Sequence, residues 1–293
     1  MASRIMVFGA GGQIGRHVIE TGSLAGCEAV GLTRAEADIC DPAAVAKAIG
    51  RHAPTIIVNA AAYTAVDKAE TEMEQAFAVN RDGAAVLAQA AAEAGLPLIH
   101  LSTDYVFDGL NRTPYLEDDP VSPQGVYARS KEAGERAVRE VHDRHLILRT
   151  SWVYGPFGTN FLRTILRLGA ERDELAIVDD QTGCPTATGD LAVAIMALAQ
   201  RIENGGSNDW GTYHYAGADM VTWHGFATMI FAEAAKFGRK APRLRPIATA
   251  DYPTAAPRPA YSVLGTEKLR RAFGIEPRPL RDSLVASLQR LLG

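Results

Sequence analysis

Ile5-Met-Val-Phe8-Gly9-Ala-Gly11-Gly12-Gln13-Ile14-Gly15 opens the chain and decides its fold. The apolar run is the length of a buried strand, glycines end it, and Ile14, Val18 and Ile19 then mark the apolar side of a helix. Strand, glycine turn and helix in that order is the context a dinucleotide site requires. Residues without a Cβ let a pyrophosphate approach the backbone N–H groups at a helix N-terminus. Gly9, Gly12 and Gly15 keep the G-x-x-G-x-x-G spacing. A tight turn with no ligand would read the same way, so the rest of the chain has to decide.

The second strand is expected over Ala29–Leu32, and its end bears on the choice of cofactor. An acid there suits a ribose 2′-hydroxyl, whereas an arginine suits a 2′-phosphate. Thr33-Arg34 stands at that point, which favours NADPH and leaves NADH open, because Arg34 reads equally well as a solvated loop charge. Asp38-Ile39 follows, an acid and an apolar residue suited to adenine, and Asp41 before Pro42 reads as a helix cap. Thr55-Ile-Ile-Val-Asn59 is a β-branched strand running into Ala60-Ala-Ala62-Tyr63-Thr64, whose small residues leave room for a ligand at the sheet edge. Val66 to Ala94 reads as mostly helical, with Asp67, Glu70, Glu72 and Glu74 as a solvated face.

Pro97–Leu101 is the next strand and delivers Ser102, Thr103 and Asp104 to the same edge. A long Gly-, Pro-, Asp- and Asn-rich loop over residues 108–125 leads into a helix carrying Tyr127-Ala-Arg-Ser-Lys131. A tyrosine and a lysine four residues apart share a helix face, so the ammonium is expected under the phenol, favouring its ionised form. A hydroxyl at Ser102 or Thr103 would hold a substrate oxygen while the tyrosine protonates it. His145–Arg149 is a further strand. Strands alternating with helices in this way predict an α/β fold with a Rossmann-like, doubly wound parallel sheet.

At 293 residues, with 47% hydrophobic and 22% charged, the composition is that of a globular protein with a sizeable core. A net charge of −4 gives no general attraction to nucleic acid or anionic membranes. No run approaches a membrane span or a signal-peptide core, and Cys27, Cys40 and Cys184 read as reduced thiols, so a soluble, cytoplasmic protein is expected. The histidines are scattered and no metal site is read. Residues 1–155 are expected to form an NAD(P)-binding domain. Residues 156–293 are expected to form mostly a smaller C-terminal α/β substrate lobe, with some segments returning to the first domain. In that second half, residues 179–186 read as a turn-rich loop, Leu191–Ile202 as a helix and Tyr213–Ala216 as a short strand. A helix capped by Thr222, a rigid Pro253–Pro259 connector and terminal helices near Thr266–Phe273 and Leu280–Leu292 complete it.

Taken together, Gly9–Gly15, Val58–Glu70, Ser102–Gly109, Val126–Lys131, Arg149–Gly155 and Asp180–Thr186 resemble the extended short-chain dehydrogenase/reductase superfamily and, within it, the dTDP-4-dehydrorhamnose reductase family. The likeness covers essentially the whole chain. It implies NADPH-dependent reduction of a dTDP-linked 4-keto-6-deoxysugar to dTDP-L-rhamnose for cell-envelope polysaccharide. It further implies that Tyr127 is the proton donor, that Lys131 lowers its pKa and holds the nicotinamide ribose, and that Thr103 orients the keto oxygen. Val66, Asp104 and Trp152 would line the sugar pocket, with Arg258 a candidate for the diphosphate. Gln13, Ile14, Asp38, Ile39, Ala62, Tyr63 and Thr64 would contact the cofactor. Some relatives carry magnesium on glutamates at a homodimer contact. His17 stands where the first glutamate is expected, which leaves that ion, and the dimer tied to it, without a ligand. An NAD-dependent nucleotide-sugar epimerase or dehydratase, and a non-catalytic NADP-binding regulatory subunit, share the fold. An acid in place of Arg34 would suit the former, and the Thr103, Tyr127 and Lys131 set argues against the latter.

Overall fold

The computed structural model describes residues 3–205 and 209–293. In chain order its first half is β1 (Arg4–Phe8), α1 (Gln13–Leu24), β2 (Glu28–Leu32), α2 (Pro42–His52), β3 (Ile56–Asn59), short helices α3 (Val66–Ala69) and α4 (Met73–Phe77), α5 (Gly83–Glu93), β4 (Leu98–Thr103), α6 (Gly125–Val141) and β5 (His145–Thr150). The second half is β6 (Val153–Tyr154), α7 (Phe161–Glu171), β7 (Glu174–Val178), β8 (Thr182–Gly183), β9 (Thr186–Ala187), α8 (Thr188–Glu203), β10 (Gly211–His214), β11 (Val221–Thr222), α9 (Trp223–Ala234), β12 (Arg243–Ile247), α10 (Glu267–Phe273) and α11 (Leu280–Leu292).

One sheet of six parallel strands, in the order β10-β5-β4-β3-β1-β2, organises the molecule. Successive strand residues point to opposite faces, and β1 shows it. Ile5 and Val7 join Val18 of α1 and Leu191 and Ile195 of α8 in one core. Met6 and Phe8 join Val45 of α2 and Leu87 of α5 in another. Helices cover both faces, so the strands read as continuous apolar runs rather than alternating ones. The chain leaves β1 toward β2 on one side and returns to β3 on the other. The crevice at such a reversal, beyond the strand carboxyl ends, is where open α/β sheets bind ligands. Gly9 follows β1 there, and Ala60 follows β3.

Two segments of the second half return to the first, and two expectations, the 179–186 loop and the helix from Val66, need correction. The strand expected at Tyr213–Ala216 forms as β10 and pairs with β5, closing an edge of the sheet begun in the first half. α8 likewise packs against α1, because the free edge of β5 and the apolar side of α1 both need cover. The loop expected over 179–186 contains β8, paired antiparallel with β11, and β9, paired parallel with β6. Two-residue strands leave no periodic signal. The long helix expected from Val66 is interrupted after α3, and a π-helix at Ala78–Asp82 joins α4 to α5. A third core gathers Tyr154, Ile165, Phe226, Ile230, Leu284 and Leu288 from β6, α7, α9 and α11. The three cysteines are free thiols. Among the described residues no helix is long and apolar enough to cross a membrane.

Candidate active site

The glycine turn is fixed by contact. Gly9 has φ +84°, and a Cβ there would lie 2.5 Å from the Ala61 nitrogen. A Cβ on Gly15 would meet the Gly9 carbonyl oxygen at 2.4 Å. Gly12 precedes α1 without any side chain capping the first turn, so the helix N-terminal N–H groups face outward as an anion would need them. Beside them opens a cleft of about 290 Å³. Gly9, Gly12, Arg34, Asp38, Ile39, Ala62 and Tyr63 line it, as the sequence suggests, and Gln75 and Val79 complete it unannounced. Those two come from the α4 and π-helical stretch, which sequence reading took for part of one long helix with a solvated acidic face. Gln13 and Ile14 begin α1 beyond the cleft lining. Gln13 Oε1 accepts from Asn160 Nδ2 at 3.2 Å, and Ile14 packs into the core. Thr64 is exposed and outside that lining. A Cβ-free turn, an uncapped helix start and a cleft walled by Ile39 and Val79 fit a nicotinamide dinucleotide.

Arg34 lies at the cleft mouth with its side chain 71% exposed, and its Nε donates to Asp38 Oδ2 at 2.9 Å. The Cys40 N–H donates to Asp38 Oδ1 and, together with Arg34, holds that carboxyl below its ordinary range. A guanidinium anchored through Nε keeps its outer fork available to an anion. Asp41 caps α2 by accepting from the Ala43 and Ala44 N–H groups.

Across the sheet edge, α6 carries Tyr127 and Lys131. Gly125, its first residue, takes φ +78°, and Glu70 Oε1 accepts the Val126 N–H at 2.7 Å. Ser130 Oγ donates to the Tyr127 carbonyl and accepts from Asn80 Nδ2, while Asn80 also holds the Tyr63 backbone by bonds to its N–H and carbonyl. Asn80 sits in the π-helix. Gly134 lets α6 approach it, since a Cβ there would lie 2.0 Å from the Asn80 oxygen. Cleft and α6 are thus braced by one amide.

Tyr127 is half-buried, with the Tyr105 ring edge-on at 5.6 Å. Burial pushes its phenol up to about 12, the Thr103 hydroxyl within hydrogen-bonding reach pulls down, and the Asp104 carboxylate pushes up. Lys131 Nζ donates to the Leu101 carbonyl at 2.7 Å, and burial brings the ammonium down to about 8 against the pull of Glu135. Here the structure departs from the expected arrangement. The lysine reaches past the phenol to a strand carbonyl, and Thr103 rather than Lys131 is the group that favours the phenolate. Thr103 Oγ also donates to Asp104 Oδ1 at 3.0 Å. Below them, buried Glu135 accepts from Arg149 Nε at 2.9 Å, Arg149 Nη2 at 2.7 Å and Ser102 Oγ at 2.6 Å, fixing the end of β4.

Of the other residues expected at the sugar, Trp152 adopts φ +45° and stacks on Trp223 at 3.4 Å, with the ring packed over Gly183. Nothing in the sequence marked Trp223 as its partner. Arg258 Nη2 pairs with Asp67 Oδ2 at 2.7 Å, tying the Pro-rich connector to α3, where Val66 begins. The acids read as a solvated face are therefore largely engaged. Asp67 holds Arg258, Glu70 holds α6, and Glu72 accepts the Tyr63 hydroxyl at 2.5 Å. Their partners come from other elements, so helical spacing alone could not reveal them.

His17 Nδ1 bonds Thr188 Oγ at 2.7 Å, and its Nε2 faces Arg290 Nη1 at 3.3 Å. Magnesium takes oxygen ligands in octahedral geometry. An imidazole, a hydroxyl and a guanidinium do not fit it, and the guanidinium's charge opposes any cation. Among the described residues no group of three or more His, Cys, Asp or Glu could hold a metal ion.

Parallel sheet, glycine turn and the Tyr127–Lys131 helix at its carboxyl edge define an extended short-chain dehydrogenase/reductase, a nicotinamide-dependent class of oxidoreductase. Within that class, the family model described as RmlD substrate binding domain matches residues 3–292, and the chain belongs to that family. A curated dTDP-4-dehydrorhamnose reductase of Sinorhizobium fredii is 46% identical over 273 residues, covering 93% of this chain and 92% of that protein. The crystal structure of a dTDP-4-dehydrorhamnose reductase from Clostridium acetobutylicum superposes with TM-score 0.91 at 35% identity, covering 98% of this chain and 99% of that one. The corresponding structure from Bacillus anthracis, in complex with NADP, gives 0.90 at 35% identity over 99% of each chain.

Proposed function

We propose that this chain is an NADPH-dependent reductase of the 4-keto group of dTDP-4-dehydro-β-L-rhamnose, giving dTDP-L-rhamnose for cell-envelope polysaccharide in the cytoplasm. The observation that carries the reading is the meeting of the Thr103 hydroxyl and the Tyr127 phenol at the sheet edge served by the glycine turn. The names of the relatives support the substrate, and the NADP complex of one supports the cofactor. Residues 1–155 serve as the dinucleotide domain, and 156–293 mostly as the substrate lobe.

The cofactor, when bound, supplies the hydride that reduces the ketone. Gly9, Gly12 and Gly15 admit its pyrophosphate to the start of α1, with Gln13 and Ile14 beside them. Arg34 meets the 2′-phosphate, while Asp38, Ile39, Ala62, Tyr63 and Thr64 border the nucleotide. Thr103 orients the keto oxygen, and Tyr127 donates a proton to it. A phenol at about 12 is protonated at neutral pH, the state that reduction needs. Lys131, buried and fixed by Leu101, holds the nicotinamide ribose. Trp152, Val66 and Asp104 border the sugar and Arg258 its diphosphate.

Tyr127→Phe keeps the ring and removes the transferable proton, so kcat should fall by about 100-fold to 10,000-fold, the usual worth of general acid catalysis. Loss of NADPH absorbance with the 4-keto sugar nucleotide measures it. Turnover by the Phe variant at near wild-type rate would overturn the reading.

A further inference from the structure

Trp152 is held in a way that neither its backbone nor its ring favours. It takes φ +45°, and among the described non-glycine residues only Ala53 shares a positive φ. A bulky residue is strained there, and such strain persists only where the surroundings impose it. Its indole lies on that of Trp223 with ring centroids 3.4 Å apart and planes 3° from parallel. Aromatic pairs left to themselves prefer offset or edge-on contacts to a full sandwich. Both indoles are half-exposed, so core burial does not account for the stack. The neighbours of Trp223 do. β8 and β11 pair with Gly183 opposite Val221 and Thr182 opposite Thr222, which sets Trp223, the first residue of α9, beside Trp152. Gln181, 7% exposed, accepts the Trp223 Nε1–H at 3.1 Å through Oε1, and its Nε2 donates to Thr249 Oγ at 3.0 Å. Phe161 of α7 meets the Trp223 ring at 4.6 Å. Trp152, by contrast, makes no side-chain hydrogen bond among the described residues, so its ring is placed by contact with Trp223 and Gly183.

An aromatic side chain that must be ordered as a ligand arrives weakens binding, and one already fixed spares that loss. We propose that Trp223 is a positioning residue for sugar recognition. Stacked on Trp152 and locked by Gln181, it presets the indole on which the sugar of the nucleotide sugar packs. The inference rests on the reading that Trp152 borders the sugar, and it assigns the rigidity of that border to β8 and α9. The lock is itself anchored, since the Thr249 N–H donates at 2.9 Å to Asp180 Oδ1, the residue before Gln181. Because Trp223 acts through Trp152, its effect falls on the sugar's share of binding and not on the nucleotide's.

Titration calorimetry with dTDP-L-rhamnose and with dTDP, both on enzyme saturated with NADP+, tests this, because dTDP has no sugar to gain from Trp152. Trp223→Leu should weaken dTDP-L-rhamnose about threefold to tenfold, the worth of one ordered side chain, and leave dTDP unchanged. Trp223→Phe keeps a ring under the indole and should recover most of that loss. Gln181→Leu frees the Trp223 N–H and should repeat the selective loss. On the Trp223→Phe background, which has no such N–H, the same change should cost less than it does alone. Where Trp223→Leu does not fold, Gln181→Leu decides by the same comparison. Equal losses for the two ligands would mean that Trp223 only props the lobe, and no loss for either would mean that the stack is idle; each overturns the inference. Trp152→Ala separates it from the reading beneath. If that variant binds both ligands like the wild type, Trp152 is not at the sugar and both fall. If it loses only the sugar's share while Trp223→Leu loses nothing, the positioning role alone fails.

Discussion

Glu70 gives the sharpest check on how the Tyr127 helix is held. Its Oε1 accepts the Val126 N–H at 2.7 Å, one residue before Tyr127. That N–H belongs to the first turn of α6, where no helical carbonyl is available to it. A bond from a backbone N–H to an ionised acceptor contributes about 1.5 to 3 kcal/mol, and a carboxylate at a helix N-terminus adds about 0.3 to 1 kcal/mol. Glu70 is half-buried, so water can replace part of the bond, and Glu70→Ala should cost about 2 kcal/mol. For a chain of this size that corresponds to a fall in Tm of about 4 °C. If the loss is felt in the placement of Tyr127, kcat falls about 30-fold, the same 2 kcal/mol expressed as a rate. Glu70→Gln keeps an acceptor oxygen and should recover about half of both effects, since a neutral bond contributes about 1 kcal/mol. Thermal melting and NADPH absorbance decay read the two quantities. An Ala variant that melts and turns over like the wild type would show that the contact does not hold the helix.

Three further outcomes are expected. Arg34→Asp should weaken NADPH by about 10-fold to 150-fold while barely touching NADH, because a charge-assisted contact of roughly 1.5 to 3 kcal/mol is replaced by repulsion. Equal losses for both cofactors, measured by fluorescence titration, would refute the 2′-phosphate role. Arg258→Ala should raise KM for the sugar nucleotide by about tenfold or more if its guanidinium meets the diphosphate. An unchanged KM would leave it only the Asp67 pair at 2.7 Å as a brace. The Glu135 carboxyl is held at about 2, burial raising it but the Arg149 bonds overcoming that, below its ordinary 4.5. A lowered folded-state pKa stabilises above the ordinary value, and that share is lost as pH falls from about 4.5 to about 2. Wild-type Tm should decline across that window more steeply than that of Glu135→Gln, which starts lower because Arg149 is left buried and unpaired. Parallel slopes would contradict the pairing.

The sheet was legible because β1 and β3 are covered on both faces and so announce themselves as unbroken apolar runs. Tyr127 and Lys131 were legible as a helical spacing, and Thr222 as a cap, whose Oγ does accept the Gly225 N–H at 3.0 Å. What the sequence hid depends on approach between distant segments. Asp67 and Glu70 carry the same signal as any solvated acid until Arg258 and Val126 arrive beside them. The burial of Asp104 is invisible for a related reason, since Cys184 and Ser262 close over it from distant segments. Trp152 was singled out, yet its left-handed backbone and its stacking on Trp223 were not, and Gly183 leaves the room that its ring occupies. The direction of the Lys131 ammonium could not be read from spacing either, because a long side chain chooses between the phenol and a strand carbonyl only once β4 is in place.

The position of β10 bears on how the molecule is made. As the chain emerges from a ribosome, β5 is finished well before the strand that pairs with it, and all of the stretch from β6 to α8 is synthesised in between. Throughout that interval His145–Thr150 presents a row of unpaired backbone groups, the kind of open edge that recruits stray strands. The first half is thus a topological debtor to the second, and a fragment ending near residue 155 would carry that exposed margin permanently.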